Sequence, residues 1–303
     1  MREPQPLQLG ERVALVAPSS PVMSETALTG AIDFVTQLGY MPVLGQHVSA
    51  HQGHLAGSDA QRAADINHAF ADPTIKGVFA IRGGNGAGRI LDLIDYELIR
   101  ANPKFFAGYS DITALHLALN QRSQLVTYHT PTLGEESFTQ SDPYTLAQLT
   151  RLIQNPKQTG RIDLPPSKPL HTLVAGVATA QLVGGNLSCM SALMGTPYEV
   201  DTRGKLLFIE EVGSKPPRID RMLHGLRLAG KFEQAAGVIF GDFTNCVPDD
   251  ANYSLSMDDI FSGLGITTPA VTNLACGHEL VSTSLPLGRT YTLDADLGTL
   301  TLL

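Results

Sequence analysis

The sequence predicts an α/β protein whose N-terminal half forms a doubly wound parallel β-sheet. Three observations predict this class. Between Arg12 and Thr130, short apolar runs alternate with longer segments of helical periodicity, as in successive βαβ units. A proline-rich stretch then interrupts the pattern, and strand-like segments mixed with helical ones follow it. The chain has 303 residues, 43% hydrophobic and 17% charged, which is enough for two packed domains.

The first elements follow from apolar runs and stop signals. Val13–Ala17 is an apolar strand closed by Pro18. Apolar residues then recur at helical spacing over 27–38, and Gly39 ends that helix. The second strand is predicted at Met41–Leu44.

The rest of this half repeats the alternation. Ser58 with Gln61 fits a capping box, which predicts a helix ending near Ala71. The remaining strands are predicted at Lys76–Arg82, Phe105–Tyr109 and Val126–His129. A helix with Ile112, Leu115 and Leu119 on one face is predicted between the last two strands.

We place the domain boundaries by the interruption of this pattern. Residues 1–134 form the first domain, 135–172 a linker, and 173–303 the second domain, because Asn155-Pro156 and the run Asp163–Pro169 punctuate the chain. Strands of the second domain are predicted at Val177–Val183, Lys205–Ile209, Gly237–Phe240 and Ala270–Leu274, helices near Leu187–Leu193 and Ile219–Ala229, and a hairpin over Thr290–Leu303.

Composition excludes several classes of protein. There are 21 Lys and Arg against 29 Asp and Glu, a formal charge of −8 with no basic run, so we expect no nucleic-acid partner. The three cysteines lie far apart without a CxxC pair, so we expect buried or inert thiols and neither a zinc site nor a cofactor. No segment has the length of a membrane span or the pattern of a secretory signal, so we expect a cytoplasmic protein.

The first candidate site is the glycine-rich segment Arg82–Arg89, directly after a predicted strand. Its backbone N–H groups could hold a phosphate, although the spacing fits neither G-x-G-x-x-G nor a P-loop. A plain tight turn is the simplest alternative. A third interpretation is that these N–H groups stabilise an oxyanion, which requires a nucleophile nearby.

Gly108-Tyr109-Ser110-Asp111-Ile112 suggests that nucleophile. A serine between a strand end and a helix start fits a nucleophile elbow, although Ile112 replaces the usual second glycine. An ordinary N-cap serine is the alternative. Neighbouring strands of a doubly wound sheet would bring Ser110 and the glycine loop to the same edge.

A serine nucleophile needs a base and an orienting acid. His47, His51 and His54 could bind a metal, but a solvated loop without a nearby carboxylate is favoured, and His116 is expected to serve packing or the helix surface. His278 follows an apolar strand in a loop that can reach a cleft.

Carboxylates that could orient the histidine stand at another strand end. Glu210 and Glu211 directly follow the predicted strand that ends at Ile209. A carboxylate there is well placed to hold an imidazole, and surface charge is the alternative for either residue.

These residues resemble the LD-carboxypeptidases, serine peptidases of the S66 type that include muramoyltetrapeptide carboxypeptidases and microcin-immunity peptidases. The similarity covers nearly the whole chain in order. The matching stretches are Ala56–Asp59, Arg62–Asn67, Ala80–Gly84, Gly108–Leu115, Gly184–Ser188, Gly195–Tyr198, Phe208–Glu211, Arg218–Leu223, Gly277-His278 and Leu285–Gly288.

The resemblance implies a flavodoxin-like N-terminal domain and a smaller, β-rich α/β C-terminal domain. It assigns Ser110 as nucleophile, His278 as general base and acid, and Glu210 as orienting carboxylate. The oxyanion hole would be the backbone N–H groups of Gly84 and Asp111. It also implies a homodimer.

Two departures from the family pattern affect the substrate more than the chemistry. Asn85 replaces a usual aromatic residue after the paired glycines, and Glu211 replaces a frequent Asp. An exopeptidase must bind a free carboxylate, for which Arg82, Arg89 or Arg218 are candidates.

The resemblance therefore predicts a metal-independent serine carboxypeptidase. It would release the terminal D-alanine of murein tetrapeptide in peptidoglycan recycling, with a small muropeptide as its only partner besides its own copy. The alternatives are a microcin-immunity-type peptidase that cleaves a peptidyl- or aminoacyl-nucleotide, and a non-catalytic peptide-binding protein.

Overall fold

The computed structural model describes residues 1–135, 138 and 142–303. Residues 136, 137 and 139–141, at the start of the segment interpreted as a linker, lie outside the described residues. The chain forms two compact units. Unit 1 comprises Met1–Gln158 and Ser284–Gly288, and unit 2 comprises Thr159–Thr283 and Arg289–Leu303.

Unit 1 contains a six-stranded sheet in the order β2-β1-β3-β4-β5-β12. Its strands are β1 Arg12–Val16, β2 Met41–Leu44, β3 Ile75–Ala80, β4 Phe105–Gly108, β5 Thr127–His129 and, from late in the chain, β12 Leu285–Leu287. The first five are parallel in the 2-1-3-4-5 order of flavodoxin-like proteins, as expected. The carboxyl ends of β1, β3 and β4 are neighbours at one edge, where ligands bind in this fold.

The sixth strand is a feature that the sequence pattern did not predict. β12 pairs antiparallel with β5 at the edge of the sheet. It is three residues long and contains Pro286. An edge strand tolerates proline, because the N–H that proline lacks can be one that would face away from the sheet and need no partner. β12 begins 156 residues after the end of β5, so local sequence patterns could not predict this pairing.

The helices of unit 1 are set by caps and apolar faces. They are α1 Glu25–Gln37, α2 Asp59–Ala71, α3 Tyr96–Ala101, α4 Thr113–Ala118 and α5 Pro143–Gln154, with 3-10 turns at Ala87–Leu93 and Ser110–Ile112 and a π turn at Leu119–Ser123. The predicted capping box of Ser58 and Gln61 is confirmed at the start of α2. α5 begins after the Asp142 cap and buries Leu149 and Leu152 in the core.

Unit 2 contains an eight-stranded mixed sheet in the order β6-β14-β13-β8-β9-β10-β11-β7. The strands are β6 Gly160–Arg161, β7 His171–Val174, β8 Val177–Asn186, β9 Leu206–Val212, β10 Gly237–Thr244, β11 Ala270–Thr272, β13 Thr290–Asp294 and β14 Thr299–Leu302. β8 to β11 are parallel, and the predicted C-terminal hairpin is confirmed as β13 and β14. β9 continues to Val212, past its predicted end at Ile209, so Glu210 and Glu211 lie inside the strand.

The helices of unit 2 lie between its strands along the chain. They are α6 Leu187–Ala192, α7 Pro216–Leu228, α8 Lys231–Gln234 and α9 Met257–Ser262, with a 3-10 turn at Ala251–Tyr253. Across the described part of the chain, we find no helix with the length and apolar character that crossing a bilayer requires.

Candidate active site

Ser110 occupies a sharp turn directly after β4. Its φ is +61°, in the left-handed region that few non-glycine residues adopt. The chain then enters the 3-10 turn that begins at Ser110 and continues into α4. Tyr109 is the N-cap residue and no side chain caps this turn, so the alternative of a capping serine is wrong. A strand, a strained serine and a helix follow one another in the order that the sequence predicts for a nucleophile elbow.

The loop after β3 packs its backbone against Ser110. A Cβ at Gly83 would lie 2.7 Å from Ser110 Cβ and 3.0 Å from its Oγ. At Gly84, φ is +98° and a Cβ would lie 2.3 Å from Ser20 Oγ. Ser20 donates its N–H to Gly83 O at 3.1 Å and accepts the N–H of Asn85 at 3.1 Å. The close approach of backbone therefore requires glycine at both positions.

The N–H of Gly84 is available at this edge. Among the residues that the structure describes, it has no hydrogen-bond acceptor. Such a donor can stabilise a developing negative charge at low cost, because it need not first break another bond.

Buried polar groups tie the glycine loop to its neighbours. The Asp111 carboxylate accepts the Ala87 N–H at 2.7 Å and so links the loop to the start of α4. The Arg62 guanidinium, 1% exposed, donates to the carbonyls of Pro18 and Gly86, the latter at 2.8 Å, and pairs with Asp59. The loops after β1 and β3 therefore have one common anchor.

His116 supports the elbow from inside unit 1. It is fully buried, and its Nε2–H donates to Gly108 O at 2.9 Å. Burial lowers the pKa of His116 to about 3, so the ring stays neutral. Its ring lies 6.3 Å from that of His129, which packs edge-on against Tyr109. Of the two alternatives for His116, packing or the helix surface, its complete burial agrees with packing.

Unit 2 separates the two adjacent glutamates of β9. Consecutive strand residues point to opposite faces of a sheet. Glu210 is fully buried, and its Oε2 accepts the Nδ1–H of His278 at 2.8 Å. Glu211 is also buried, but its carboxylate accepts the Ser188 N–H at 2.8 Å and the Ser214 hydroxyl at 3.1 Å. The structure thus brings His278 together with Glu210, while Glu211 holds the first turn of α6.

A second buried carboxylate, which the sequence pattern did not single out, lies beside this pair. Asp242, in β10, accepts a hydrogen bond from Lys168 Nζ at 2.7 Å. A Cβ at Gly277 would lie 2.8 Å from Asp242 Cβ and 3.3 Å from Glu210 Oε2. The signal was available, since a carboxylate near the end of a predicted strand was the pattern that singled out Glu210.

The candidate arginines have different surroundings. Arg82 is half-buried, and its Nη1 donates to Pro21 O at 2.6 Å. Arg89 is occupied by a two-pronged contact with Asp59, at 2.8 and 3.0 Å. Arg218 is exposed on α7, in unit 2.

The histidine cluster 47–54 has a carboxylate beside it, contrary to the expectation. Asp65 accepts the His47 Nδ1–H at 2.8 Å and the His47 backbone N–H at 2.9 Å, whereas His51 and His54 are exposed. Asp65 comes from α2, 18 residues along the chain, so the loop sequence does not reveal it. Within residues 1–135, 138 and 142–303, no group of three or more His, Cys, Asp or Glu has a metal-binding arrangement.

The expected inert thiols are confirmed for two of the three cysteines. Cys246 and Cys276 are buried, and Cys189 is partly exposed. Burial raises the pKa of the Cys246 thiol to about 12 and holds the pKa of Cys276 well above its usual range, so both stay protonated.

Family comparisons match both halves of the chain. The LD-carboxypeptidase N-terminal domain matches residues 13–130, and the LD-carboxypeptidase C-terminal domain matches residues 179–293. This chain belongs to the LD-carboxypeptidase family. It is therefore a carboxypeptidase, a hydrolase of the S66 serine peptidase type.

Individual relatives agree with this family. The chain is 42% identical to a probable murein peptide carboxypeptidase of Bacillus subtilis, over 94% of this chain and 89% of that protein. It is similar to the crystal structure of a muramoyltetrapeptide carboxypeptidase from Oxalobacter formigenes, with a TM-score of 0.83, 26% identity, and coverage of 96% and 97%. The microcin C7 self-immunity protein MccF has the same fold, with a TM-score of 0.90, 22% identity, and coverage of 99% and 97%.

Proposed function

We propose that this LD-carboxypeptidase is a serine enzyme that releases the terminal D-alanine of murein tetrapeptide by hydrolysing an L,D-peptide bond. The observation that carries the proposal is the strained turn of Ser110, with the backbone of Gly83 against it. A serine in this conformation presents its hydroxyl above the strand ends, which is the arrangement of a nucleophile and not of a helix cap. The names of the two carboxypeptidase relatives support the murein substrate.

The catalytic steps follow from the chemistry of the proposed triad. Ser110 Oγ attacks the carbonyl carbon of the L-centre and gives its proton to His278 Nε2. Glu210 holds the other ring nitrogen, which fixes the tautomer and stabilises the imidazolium. The N–H groups of Gly84 and Asp111 stabilise the oxyanion.

Collapse of the tetrahedral intermediate breaks the peptide bond. The imidazolium of His278 protonates the amine of D-alanine, which leaves, and Ser110 remains acylated. Water then gives a proton to His278 and attacks the ester. The second collapse releases the shortened peptide and restores both residues.

The substrate's free carboxylate needs a cation at this edge, against the net charge of −8. Arg82 is the best candidate of the three arginines, because it precedes Gly83 and, within the described part of the chain, its one side-chain contact is to the neutral Pro21 carbonyl. Arg89 already has a carboxylate partner in Asp59. Asn85, three residues after Arg82, would help to select the substrate.

The experiment is to incubate the purified protein with murein tetrapeptide and to follow D-alanine release by mass spectrometry, with and without EDTA. Release should be insensitive to EDTA. In Ser110→Ala it should fall by about 10³-fold or more while folding is retained, and Ser24→Ala, which removes only the cap of α1, serves as control. Unchanged release in Ser110→Ala, or loss of release with EDTA, would refute the serine mechanism.

A parallel incubation separates the substrates. MccF has been solved in complex with aspartyl sulfamoyl adenosine, which provides a test compound of the other kind. Cleavage of such a compound without D-alanine release would favour the immunity-type reaction, and binding of either compound without cleavage would favour a peptide-binding protein.

The proposal extends to the surroundings of the enzyme. We place the reaction in the cytoplasm, as a step of peptidoglycan recycling. The enzyme would act as a homodimer and would bind no nucleic acid. Sedimentation velocity at micromolar concentration tests the dimer. A single species at the monomer mass of 32.4 kDa would contradict it.

A further inference from the structure

β10 carries a bulge where it passes the candidate glutamate. In its register with β9, Phe240 pairs with Ile209 and Phe243 pairs with Glu211, so three steps along β10 correspond to two along β9. The extra residue interrupts the ladder and redirects nearby side chains. Asp242 lies within this bulge.

The redirected residue supports the segment that carries His278. The Asp242 N–H donates to Cys276 O at 3.0 Å, and a Cβ added at Gly277 would lie 2.8 Å from Asp242 Cβ. Gly277 in turn approaches Glu210 Oε2, the atom that holds His278. Asp242 therefore touches the backbone next to the histidine.

The charge of Asp242 is balanced by one lysine. The carboxylate is 5% exposed and the Lys168 ammonium, 2.7 Å away, is 25% exposed. Asp242 Oδ2 has no hydrogen-bond partner among the described residues. A carboxylate with one bare oxygen in a buried site is costly, which is unusual for a purely structural residue.

We propose that the Lys168–Asp242 ion pair is a positioning element that holds the Cys276–His278 segment and sets the local charge in which His278 exchanges its proton. This role rests on the proposed function of His278. Asp242 acts through His278 and is not itself a catalytic residue.

The sign of the effect follows from the charges that face Asp242. They are Lys168, Glu210 and Glu279, and the neutral Cys276 thiol is also near. Burial raises the pKa of Asp242 to about 6, Lys168 opposes this, and the two glutamates add to it. Above that pH, Asp242 and Lys168 together are neutral. Removal of one charge leaves the other unbalanced in the buried site that supports the Cys276–His278 segment.

The test is to measure the titration midpoint of the His278 imidazole by NMR in the full-length protein, with His278→Gln to assign the signal. Asp242→Asn leaves the lysine charge, so the midpoint should fall by about one pH unit. The double variant Lys168→Met with Asp242→Asn restores neutrality and should bring the midpoint back toward that of the wild type.

A purely structural role predicts otherwise. If the pair only packs, Asp242→Asn leaves the midpoint unchanged, or the double variant shifts it at least as far as the single one. Either result would overturn the proposal. If Asp242→Asn does not fold, Lys168→Glu should raise the midpoint, because it replaces the cation by an anion and leaves the site negative even if Asp242 takes up a proton. An unchanged or lower midpoint would then overturn the proposal.

A matched control comes from the same unit. Lys205 pairs with Asp201 at 3.1 Å and is 23% exposed, but it precedes β9 at the end opposite Glu210. Lys205→Met should leave the His278 midpoint unchanged. An equal shift there would show a general charge effect and would contradict the specific role of Lys168.

Turnover provides the second readout. The acid limb of kcat/KM for D-alanine release should move with the NMR midpoint in each variant, and KM should change less than kcat. The NMR result stands without turnover, so absence of carboxypeptidase activity would refute the proposed function and leave the charge coupling testable by itself.

Discussion

In unit 1 the candidate nucleophile is positioned by backbone conformation, whereas in unit 2 the candidate base is positioned by buried charge. Ser110 stands in a left-handed turn, and the backbone of Gly83 lies against its side chain. His278 is held by Glu210, and the carboxylates of Glu210 and Asp242 near its segment are almost fully buried. Small changes of shape should therefore damage unit 1, and small changes of charge should damage unit 2.

The largest effect is expected from charge in unit 2. Glu210→Gln keeps the size of the side chain but removes the charge that stabilises the imidazolium, so kcat should fall by about 10³- to 10⁴-fold. The measurement is the steady-state rate of D-alanine release. Glu211→Gln is the matched control, because Glu211 contacts Ser188 and Ser214 instead of His278.

The control variant should keep kcat close to that of the wild type. It should lose about 1–2 kcal/mol of unfolding free energy, since it weakens the start of α6. Equal losses of kcat in both variants would show that the two faces of β9 do not differ in function.

The next effect is expected from shape in unit 1. Gly84→Ala puts a Cβ into the space of Ser20 Oγ at a φ of +98°, so the loop and its N–H must shift. We expect kcat/KM to fall by about 10²-fold, as for the loss of one oxyanion donor. Gly88→Ala is the control in the same loop, because a Cβ there meets no atom within 4 Å. Similar losses in both variants would remove the special role of Gly84.

The pH dependence of stability should have opposite signs in the two units. Burial lowers the pKa of His116 from 6.5 to about 3, so the unfolded chain binds a proton that the folded chain refuses. Its contribution is complete above pH 6.5 and is lost on acidification, by up to about 1.4 kcal/mol per pH unit. Burial raises the pKa of Asp242 from 3.8 to about 6, so its contribution is complete below pH 3.8 and is lost as pH rises through 6.

Urea unfolding at several pH values between 4 and 7 measures this difference. His116→Gln should lose less stability than the wild type on acidification, and Asp242→Asn should lose more. Parallel pH profiles for the two variants would refute the contrast between the units.

The smallest effects are expected from exposed ion pairs, which should not distinguish the units. Arg89 of unit 1 and Arg203 of unit 2 each contact an aspartate at 2.8–2.9 Å and are 60% and 76% exposed. Replacement of either by Ala should change Tm by less than about 3 °C, because solvent screens such pairs. Thermal unfolding tests this. A much larger change for Arg89→Ala would place it among the groups that support the glycine loop.

Local signals predicted much of unit 1, including the turn at Ser110. The capping box of α2, the apolar run of β1, and the strand, turn and helix around Ser110 each depend on residues within about ten positions. Periodicity and turn chemistry act over this range, which is why such features are readable from the chain. The glycines at 83 and 84 were visible for the same reason.

The remaining parts depend on distant partners. β12 joins a strand of the first half, Lys168 meets Asp242 over 74 positions, and His47 meets Asp65 over 18. β9 also ends three residues later than predicted, at Val212 instead of Ile209, because the strand continues through two buried glutamates where the apolar run stops. No local pattern encodes these pairings.

The amino-acid sequence was sufficient to predict the α/β class, many of the strands and helices, the turn at Ser110 and the family resemblance, because each depends on local patterns or on motifs in order. The folded chain was needed to show which of two adjacent glutamates meets His278 and which side chains balance the buried charge. The physical reason is that strand register and sheet pairing choose the face on which a side chain lies, and burial then decides which charges need a partner.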